Sequence, residues 1–166
     1  MEETQKVAPA LLLKPLSDRV NGFCEAALFV TIVAMTVVTI LQIVFRIWFR
    51  ALTWSEELTC FLLVAASFLG TAVAFKRGAH IAVTFLADAV PKPLAKLLLI
   101  AVACVGVAFF AVVSWYGAVL SYQERAQTAT AIAISMGWIY LIFPVSGIIV
   151  ILHLLSRIEE LLKGQA

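Results

Sequence analysis

Residues 53–81, TWSEELTCFLLVAASFLGTAVAFKRGAHI, decide the fold of this chain. The stretch begins with a tryptophan and two adjacent glutamates, Glu56 and Glu57, and then runs without a charge over residues 58–75. As an α-helix this uncharged run is about 27 Å long, which is just enough to cross the hydrocarbon core of a membrane. Basic residues around Arg77 close it. The pattern predicts one nearly upright membrane crossing with acid at one end and base at the other.

The composition of the whole chain agrees with this. The 166 residues are 63% hydrophobic and 13% charged, with a mean hydropathy of +1.05. Soluble domains are about half apolar and about a quarter charged, so lipid is the main solvent of this protein. The net charge of +2 is too small to indicate a nucleic-acid partner. Three cysteines, Cys24, Cys60 and Cys104, lie in apolar runs without a C-x-x-C pair, and we expect them to be small core residues.

Apolar length along the rest of the chain predicts an all-α membrane protein with four transmembrane helices. We expect a single membrane domain over residues 1–166, with spans at about 22–45, 58–75, 97–121 and 137–155. The first apolar run exceeds the 7–15 residues of a signal-peptide core, so it is predicted to be a retained span. Pro144 lies inside the fourth span, where it removes a backbone hydrogen bond and should kink the helix.

Three segments that connect the predicted spans have distinct sequence patterns. Residues 46–51 place Arg46 and Arg50 in one sector of a helix, which favours a short interfacial helix over a plain continuation of the first span. Residues 81–90 are apolar but too short to cross, and we expect a second surface helix there. Residues 127–135 alternate in a way that fits an extended or irregular segment as well as a helix.

Charge placement predicts the orientation. With four spans, the amino tail, the 76–96 connection and the carboxyl tail share one side of the membrane and hold nine of the twelve lysines and arginines. The other side holds Arg46, Arg50 and Arg125. Short loops rich in basic residues stay in the cytoplasm, so both termini are predicted to be cytoplasmic.

The tryptophans and tyrosines all fall near the predicted outer surface. They are Trp48, Trp54, Trp115, Tyr116, Tyr122, Trp138 and Tyr140. Aromatic belts at membrane interfaces explain such residues, although belts normally occur on both sides. The alternative is an outer rim built for contact with another protein, because aromatic residues are enriched in interface cores.

Glu56 and Glu57 are the most conspicuous charges. Thr53 and Glu56 have the spacing of a capping box, in which the two residues satisfy free backbone N–H groups at a helix start. The alternative is a pairing of one glutamate with Arg46, Arg50 or a partner chain.

Two other groups raise the possibility of chemistry within the membrane. Glu25, one turn inside the first span, resembles the acid of a small proton-coupled multidrug antiporter, because intramembrane acids are often functional. His80 and His153 are the two histidines that a bis-histidine haem site would need, although both suit plain interfacial roles. The sequence has no metal-ligand cluster, nucleophilic triad or phosphate-binding glycine loop, and we predict that the chain is not an enzyme.

Small residues recur every four positions along the second span, at Ala66, Gly70, Ala74 and Gly78. Small residues at this spacing let helices approach closely in lipid. We expect Gly70 to serve packing, since it lies mid-span, whereas Gly78 suits a helix end.

The 53–81 stretch resembles the signature of the DctQ-type small membrane subunit of tripartite ATP-independent periplasmic (TRAP) transporters. The residues that carry this resemblance are Trp54, Glu56, Glu57, Phe68, Leu69, Gly70, Ala74, Arg77, Gly78, His80 and Ile81. Trp138 and Pro144 in the fourth span match as well, and the resemblance covers about residues 20–157. Thr59 departs from the pattern, because the family often has a basic residue there.

The resemblance implies a multi-pass protein of the bacterial inner membrane that acts as a scaffold. Its partners would be a large multi-span subunit, which binds substrate and sodium, and a periplasmic substrate-binding protein that delivers an organic acid. Apart from membrane lipids, no further partner is implied, and no cofactor is expected in this chain, because sodium would be held by the large subunit. The resemblance implies that ten residues serve subunit packing or belong to the family motif: Trp54, Glu56, Glu57, Gly70, Ala74, Arg77, Gly78, His80, Trp138 and Pro144.

Overall fold

A computed structural model describes residues 13–48, 50–78 and 90–163. Within these residues the chain forms five α-helices and one 3₁₀ turn, Glu124–Ala126. The helices are α1 (Lys14–Trp48), α2 (Thr53–Lys76), α3 (Lys92–Gln123), α4 (Met136–Tyr140) and α5 (Ile142–Leu162). The prediction of an all-helical protein is therefore confirmed for the described part of the chain.

Four helical segments are long and apolar enough to cross a membrane, as predicted. They are Lys14–Trp48, Thr53–Lys76, Pro93–Ala126 and Met136–Leu162. Each extends beyond the corresponding predicted span because helical structure continues into charged sequence at its ends. The membrane limits at 22–45, 58–75, 97–121 and 137–155 stay predictions.

The long helices alternate in direction, so the structure has two chemically different ends. The start of α1 meets the end of α5, where the Leu13 amide donates to Glu159 Oε2 at 3.0 Å. We call this the basic end; its described basic residues include Lys14, Lys76, Arg77, Lys96, Arg157 and Lys163. The opposite end we call the aromatic end; it holds Trp48, Trp54, Tyr122, Trp138 and Tyr140. Both described chain termini thus lie at one end, and the side of the membrane that this end faces stays a prediction.

The four long helices pack as a row rather than as a square bundle. Helix α1 packs on α2, α2 on α5, and α5 on α3, whereas α1 and α3 share no substantial contact among the described residues. The buried core lies between α2, α3 and α5 and consists of Ala72, Ala103, Phe110, Val150 and Leu154. Helix α5 is the most buried of the four and α1 the least. The row leaves two broad apolar faces that the described residues do not cover.

Close approach of α3 and α5 depends on glycine. A Cβ atom at Gly117 would lie 2.6 Å from Phe143 Cβ and 3.3 Å from the Pro144 nitrogen. At Gly147 a Cβ would collide with Ser114 Oγ and lie 3.2 Å from the Phe110 carbonyl oxygen. These two glycines therefore set how close the helices come, as small residues do at membrane helix contacts.

Pro144 interrupts the fourth span as predicted. The break lies at Leu141, between α4 and α5, and Pro144 occupies the first turn of α5. A proline ring clashes with the carbonyl of the residue four positions earlier and cannot donate a hydrogen bond to it, so the helix is interrupted at that turn. The preceding residues 127–135 are irregular, with one isolated antiparallel bridge between Thr128 and Ser135.

Two expectations need correction and one lies outside the described residues. Arg46–Trp48 belong to α1 and Arg50–Leu52 are not helical, so the structure has a continuation of the first span rather than a separate interfacial helix. The surface helix expected at 81–90 falls mostly on residues that the structure does not describe. Of the three cysteines expected in the core, only Cys24 is buried, and Cys60 and Cys104 are exposed among the described residues.

Candidate functional site

Glu57 holds the loop that precedes the fourth span. Its carboxylate accepts hydrogen bonds from the backbone amides of Thr130, Ala131 and Ile132 at 2.9, 2.7 and 3.0 Å. A charged acceptor makes stronger hydrogen bonds than a neutral one. The start of α2 is thereby fastened to the connection between α3 and α4 at the aromatic end.

The capping box expected at the start of α2 is wrong. Leu52 is the N-cap residue, it makes no side-chain cap hydrogen bond, and Thr53 is already helical. A capping box requires the threonine itself at the N-cap, so Thr53 and Glu56 cannot form one here. Glu56 lies in the first helical turn with its side chain exposed, where the helix dipole favours an acid. The adjacent glutamates thus have different environments.

The two motif tryptophans also lie at the aromatic end. Trp138 is 74% exposed and Trp54 is 39% exposed. Beside Trp138 a shallow apolar groove of about 410 Å³ runs between α2 and the α4–α5 break. On its other side Arg125 stacks over the Tyr122 ring, with Cζ 4.2 Å from the ring centre. Large aromatic side chains that the chain leaves uncovered are therefore grouped around α4.

The middle of α2 faces α1. A Cβ atom at Gly70 would lie 4.0 Å from both terminal methyl groups of Leu28, which is ordinary van der Waals distance. Ala74, one turn further along, is half-buried. Gly70 is thus placed at a contact within the chain, and a methyl group added there would meet Leu28 at an ordinary distance.

At the basic end, Arg77 joins the end of α2 to α1. Arg77 Nη2 lies 2.9 Å from Glu25 Oε1, and the same carboxylate oxygen accepts a 2.7 Å hydrogen bond from Asn21 Nδ2. Both members of the ion pair keep substantial exposure. Glu25 is therefore a paired carboxylate at the end of the row, an environment unlike that of an isolated acid in the membrane interior.

A second connection at this end is more buried. Lys76 Nζ lies 2.6 Å from Asp18 Oδ1 and donates to Ser17 Oγ at 2.9 Å. Ser17 Oγ in turn lies 2.8 Å from His153 Nδ1, and Ser17 and His153 are both buried. This chain of contacts links α1, α2 and α5. Sequence reasoning missed it, because the four residues are separated by up to 136 positions and none belongs to a recognisable motif.

Gly78 follows the end of α2 and has a backbone conformation that suits glycine. Its φ of +65° is in the left-handed range, and its amide donates to the Phe75 carbonyl at 3.3 Å. Glycine commonly takes this conformation just after a helix. His80 and Ile81 lie outside the described residues, so only His153 of the two histidines can be placed. Among the described residues no group of three or more His, Cys, Asp or Glu side chains could hold a metal ion.

A comparison with protein families matches residues 35–164 to the DctQ component of the tripartite ATP-independent periplasmic transporters. The match covers most of the chain and includes α2, α3, α4 and α5. This family is made of transporter components, in agreement with the prediction that the chain is not an enzyme.

A curated relative is similar over a shorter region. The sialic acid TRAP transporter small permease protein SiaQ of Vibrio cholerae is 32% identical over 115 residues. The aligned region covers 66% of this chain and 64% of that relative, so the chain spans less than two thirds of the relative's length.

Proposed function

This chain belongs to the DctQ family of tripartite ATP-independent periplasmic (TRAP) transporter components, and we propose that it braces the large transport subunit of such a system. Family membership and four apolar helices identify it as a multi-pass protein of the inner membrane. In the proposed system the large subunit moves an organic acid together with sodium and holds the sodium site. A periplasmic binding protein delivers the substrate.

The distribution of charge carries this proposal. Acidic and basic residues of the four spans lie near the helix ends, and the central parts of α1, α2, α3 and α5 carry none. An organic anion crossing the membrane needs polar or charged groups on its path, because a charge at the bilayer centre is costly. The central parts of the described helices offer no charged group for such a path, which favours substrate movement by another subunit.

The exposed surface supports a bracing role. The most apolar 18-residue stretch of α1 contains no buried residue. Its large exposed side chains include Phe29, Val37, Ile40 and Ile43. A contact at the basic end holds the start of α1 against α2: Arg77 binds Glu25. A large membrane partner would find a pre-formed apolar face of defined shape.

The aromatic end suits a second contact outside the membrane. If the basic end is cytoplasmic, as the charge placement predicts, the exposed Trp138 and the Arg125–Tyr122 pair face the periplasm. Aromatic and arginine side chains are enriched at interface hot spots. We assign this end to contact with the large subunit near the site where the binding protein docks.

The alternative of an independent proton-coupled antiporter rests on Glu25. Its carboxylate is held by Arg77 and Asn21 at the basic end. A proton site needs a carboxylate that gains and loses a proton during the cycle, and an arginine at 2.9 Å favours the charged form throughout. The scaffold function is therefore favoured over this alternative.

Co-purification tests the bracing role. Gly70→Leu extends a branched side chain toward Leu28 of α1 and should disturb the contact between α1 and α2. We expect reduced recovery of the large subunit with this chain. Gly70→Ala is the matched control and should co-purify normally. Normal recovery of the large subunit with Gly70→Leu would contradict the proposed bracing role of α1.

A further inference from the structure

A polar cavity of about 440 Å³ lies at the basic end, between the start of α1, the end of α2 and the end of α5. Its charged lining residues are Lys14, Asp18, Lys76, Arg77, Arg157 and Glu160. This polar cavity lies at the end of the row, whereas the face that we assign to subunit bracing is apolar and runs along α1. The cavity therefore needs its own explanation.

The lining has a surplus of positive charge. Four basic and two acidic side chains surround the cavity, and a positive charge is left over even when Glu25, the partner of Arg77, is counted. One acid is shared: Glu160 lies 3.1 Å from Lys14 Nζ and 3.3 Å from Arg157 Nη1. Lys14 and Arg157 are each 48% exposed, so both can turn toward a ligand in the cavity.

The deepest lining residues have unused hydrogen-bonding atoms. His153 is 2% exposed and Ser156 is 1% exposed, and both line the cavity. Neither His153 Nε2 nor Ser156 Oγ has a hydrogen-bond partner among the described residues. Buried polar atoms without a partner are rare and point to a missing water, ion or ligand.

The hydrogen bonds around Ser17 determine what His153 can offer. Lys76 Nζ can only donate, so Ser17 Oγ accepts from it at 2.9 Å. The hydroxyl hydrogen of Ser17 is then best used by donating to His153 Nδ1 at 2.8 Å. In that tautomer Nε2 carries the hydrogen of the neutral ring. The floor of the cavity therefore presents an N–H donor, which suits an anionic oxygen.

We propose that this cavity binds the phosphate of a phospholipid headgroup. Lys14, Arg77 and Arg157 would hold the phosphate oxygens at the rim, and His153 Nε2 would donate from the floor once the rim side chains turn onto the ligand. Headgroup phosphates lie where the apolar helix faces give way to charged ends, which is where this cavity opens. Basic pockets between transmembrane helices are a known form of headgroup recognition. The inference does not depend on the proposed bracing role.

Lipid retention tests the site. The full chain, purified with its large subunit in detergent and depleted of lipid, would be mixed with phosphatidylglycerol or phosphatidylcholine, and bound lipid would be counted by native mass spectrometry. The double variant Lys14→Gln, Arg157→Gln should retain phosphatidylglycerol about tenfold less well, because each basic residue near a charged headgroup adds attraction. Arg46→Gln, Arg50→Gln makes the same charge change at the aromatic end and should retain it normally.

Two further arms make the outcome decisive. Inorganic phosphate in millimolar excess should not displace the lipid; displacement, with phosphate bound in its place, would identify a free phosphate site instead. His153→Gln keeps an N–H donor and should retain more lipid than His153→Phe. Equal retention of phosphatidylglycerol by the Lys14, Arg157 variant and the Arg46, Arg50 control, with both variants folded by circular dichroism, would overturn the proposal.

Discussion

Glu57 shows how one side chain can fasten two distant parts of a membrane protein. It is adjacent to Glu56, yet only Glu57 accepts hydrogen bonds from the amides of Thr130, Ala131 and Ile132. Those amides lie more than 70 residues further along the chain. They belong to an irregular loop that contains one isolated bridge, Thr128–Ser135. The sequence made both glutamates conspicuous but could not distinguish them, because the distinguishing partner is a backbone with no sequence signature.

Replacing this carboxylate should loosen the loop. Glu57→Gln leaves one acceptor oxygen where two now serve three amides. We expect several-fold faster hydrogen exchange at Thr130, Ala131 and Ile132, measured by mass spectrometry in detergent, with little change in the transmembrane helices. Glu56→Gln is the matched control and should leave exchange unchanged. Equal exchange in the wild type and Glu57→Gln would show that the three hydrogen bonds do not hold the loop.

The space beside each glycine determines the effect of an alanine substitution. Gly117→Ala should destabilise the protein by about 1–3 kcal/mol, the usual cost of overpacking, because Phe143 Cβ and the Pro144 backbone cannot move aside. Gly70→Ala should be neutral or slightly stabilising, because its site has room and alanine is favoured over glycine in helices by about 1 kcal/mol.

Thermal unfolding of the two variants in the same detergent checks this difference. Equal melting temperatures for Gly117→Ala and Gly70→Ala would contradict the packing of α3 on α5. The spacing of small residues in α2 drew attention to Gly70, whereas Gly117 and Gly147 have no such pattern. Their importance appears only when the two helices are placed side by side.

At the scale of elements, helix number and approximate position could be predicted because hydrophobic length decides them. Every predicted span lies within a helix or, for the fourth, within the α4–α5 pair interrupted near Pro144. The exact start of α2 could not be predicted. The spacing of Thr53 and Glu56 fits a capping box, but the spacing alone does not show that the N-cap residue is Leu52. Local patterns specify the type of element better than its ends.

The contacts between elements at the basic end also escaped prediction. Ser17 connects α1 to Lys76 of α2 and to His153 of α5, and a serine in a helix has no distinguishing sequence context. Buried serines of this kind are recognisable only from their neighbours in space.

Removal of this hydroxyl should weaken the packing of the three helices at the basic end. Ser17→Ala leaves Lys76 with one partner fewer and leaves His153 Nδ1 without its hydrogen bond. A buried polar group left unsatisfied costs about 1–3 kcal/mol, and we expect a loss of stability of that size. Ser67→Ala serves as the control, because Ser67 Oγ is exposed and bonds only to Leu63 of its own helix. A denaturation series in detergent compares the two, and equal midpoints would contradict the role of Ser17.

At the scale of the whole molecule, the row of helices explains why this chain suits a partner. A square bundle would bury the inner face of every helix, but here α1 and α3 form the two edges and keep large apolar surfaces free. Composition predicted that these surfaces face lipid or protein but not how the helices are ordered. The order depends on glycine contacts between α3 and α5 and on polar contacts at the two ends, which only the folded chain brings together.

Reconstituted uptake distinguishes a scaffold subunit from an independent transporter. Proteoliposomes would contain the large subunit with this chain, the large subunit alone, or this chain alone, each supplied with the binding protein, a labelled organic acid and an inward sodium gradient. The scaffold account predicts sodium-dependent uptake only in the first preparation, with none from this chain alone. Full uptake by the large subunit without this chain, or proton-coupled efflux by this chain alone that is lost in Glu25→Gln, would contradict it.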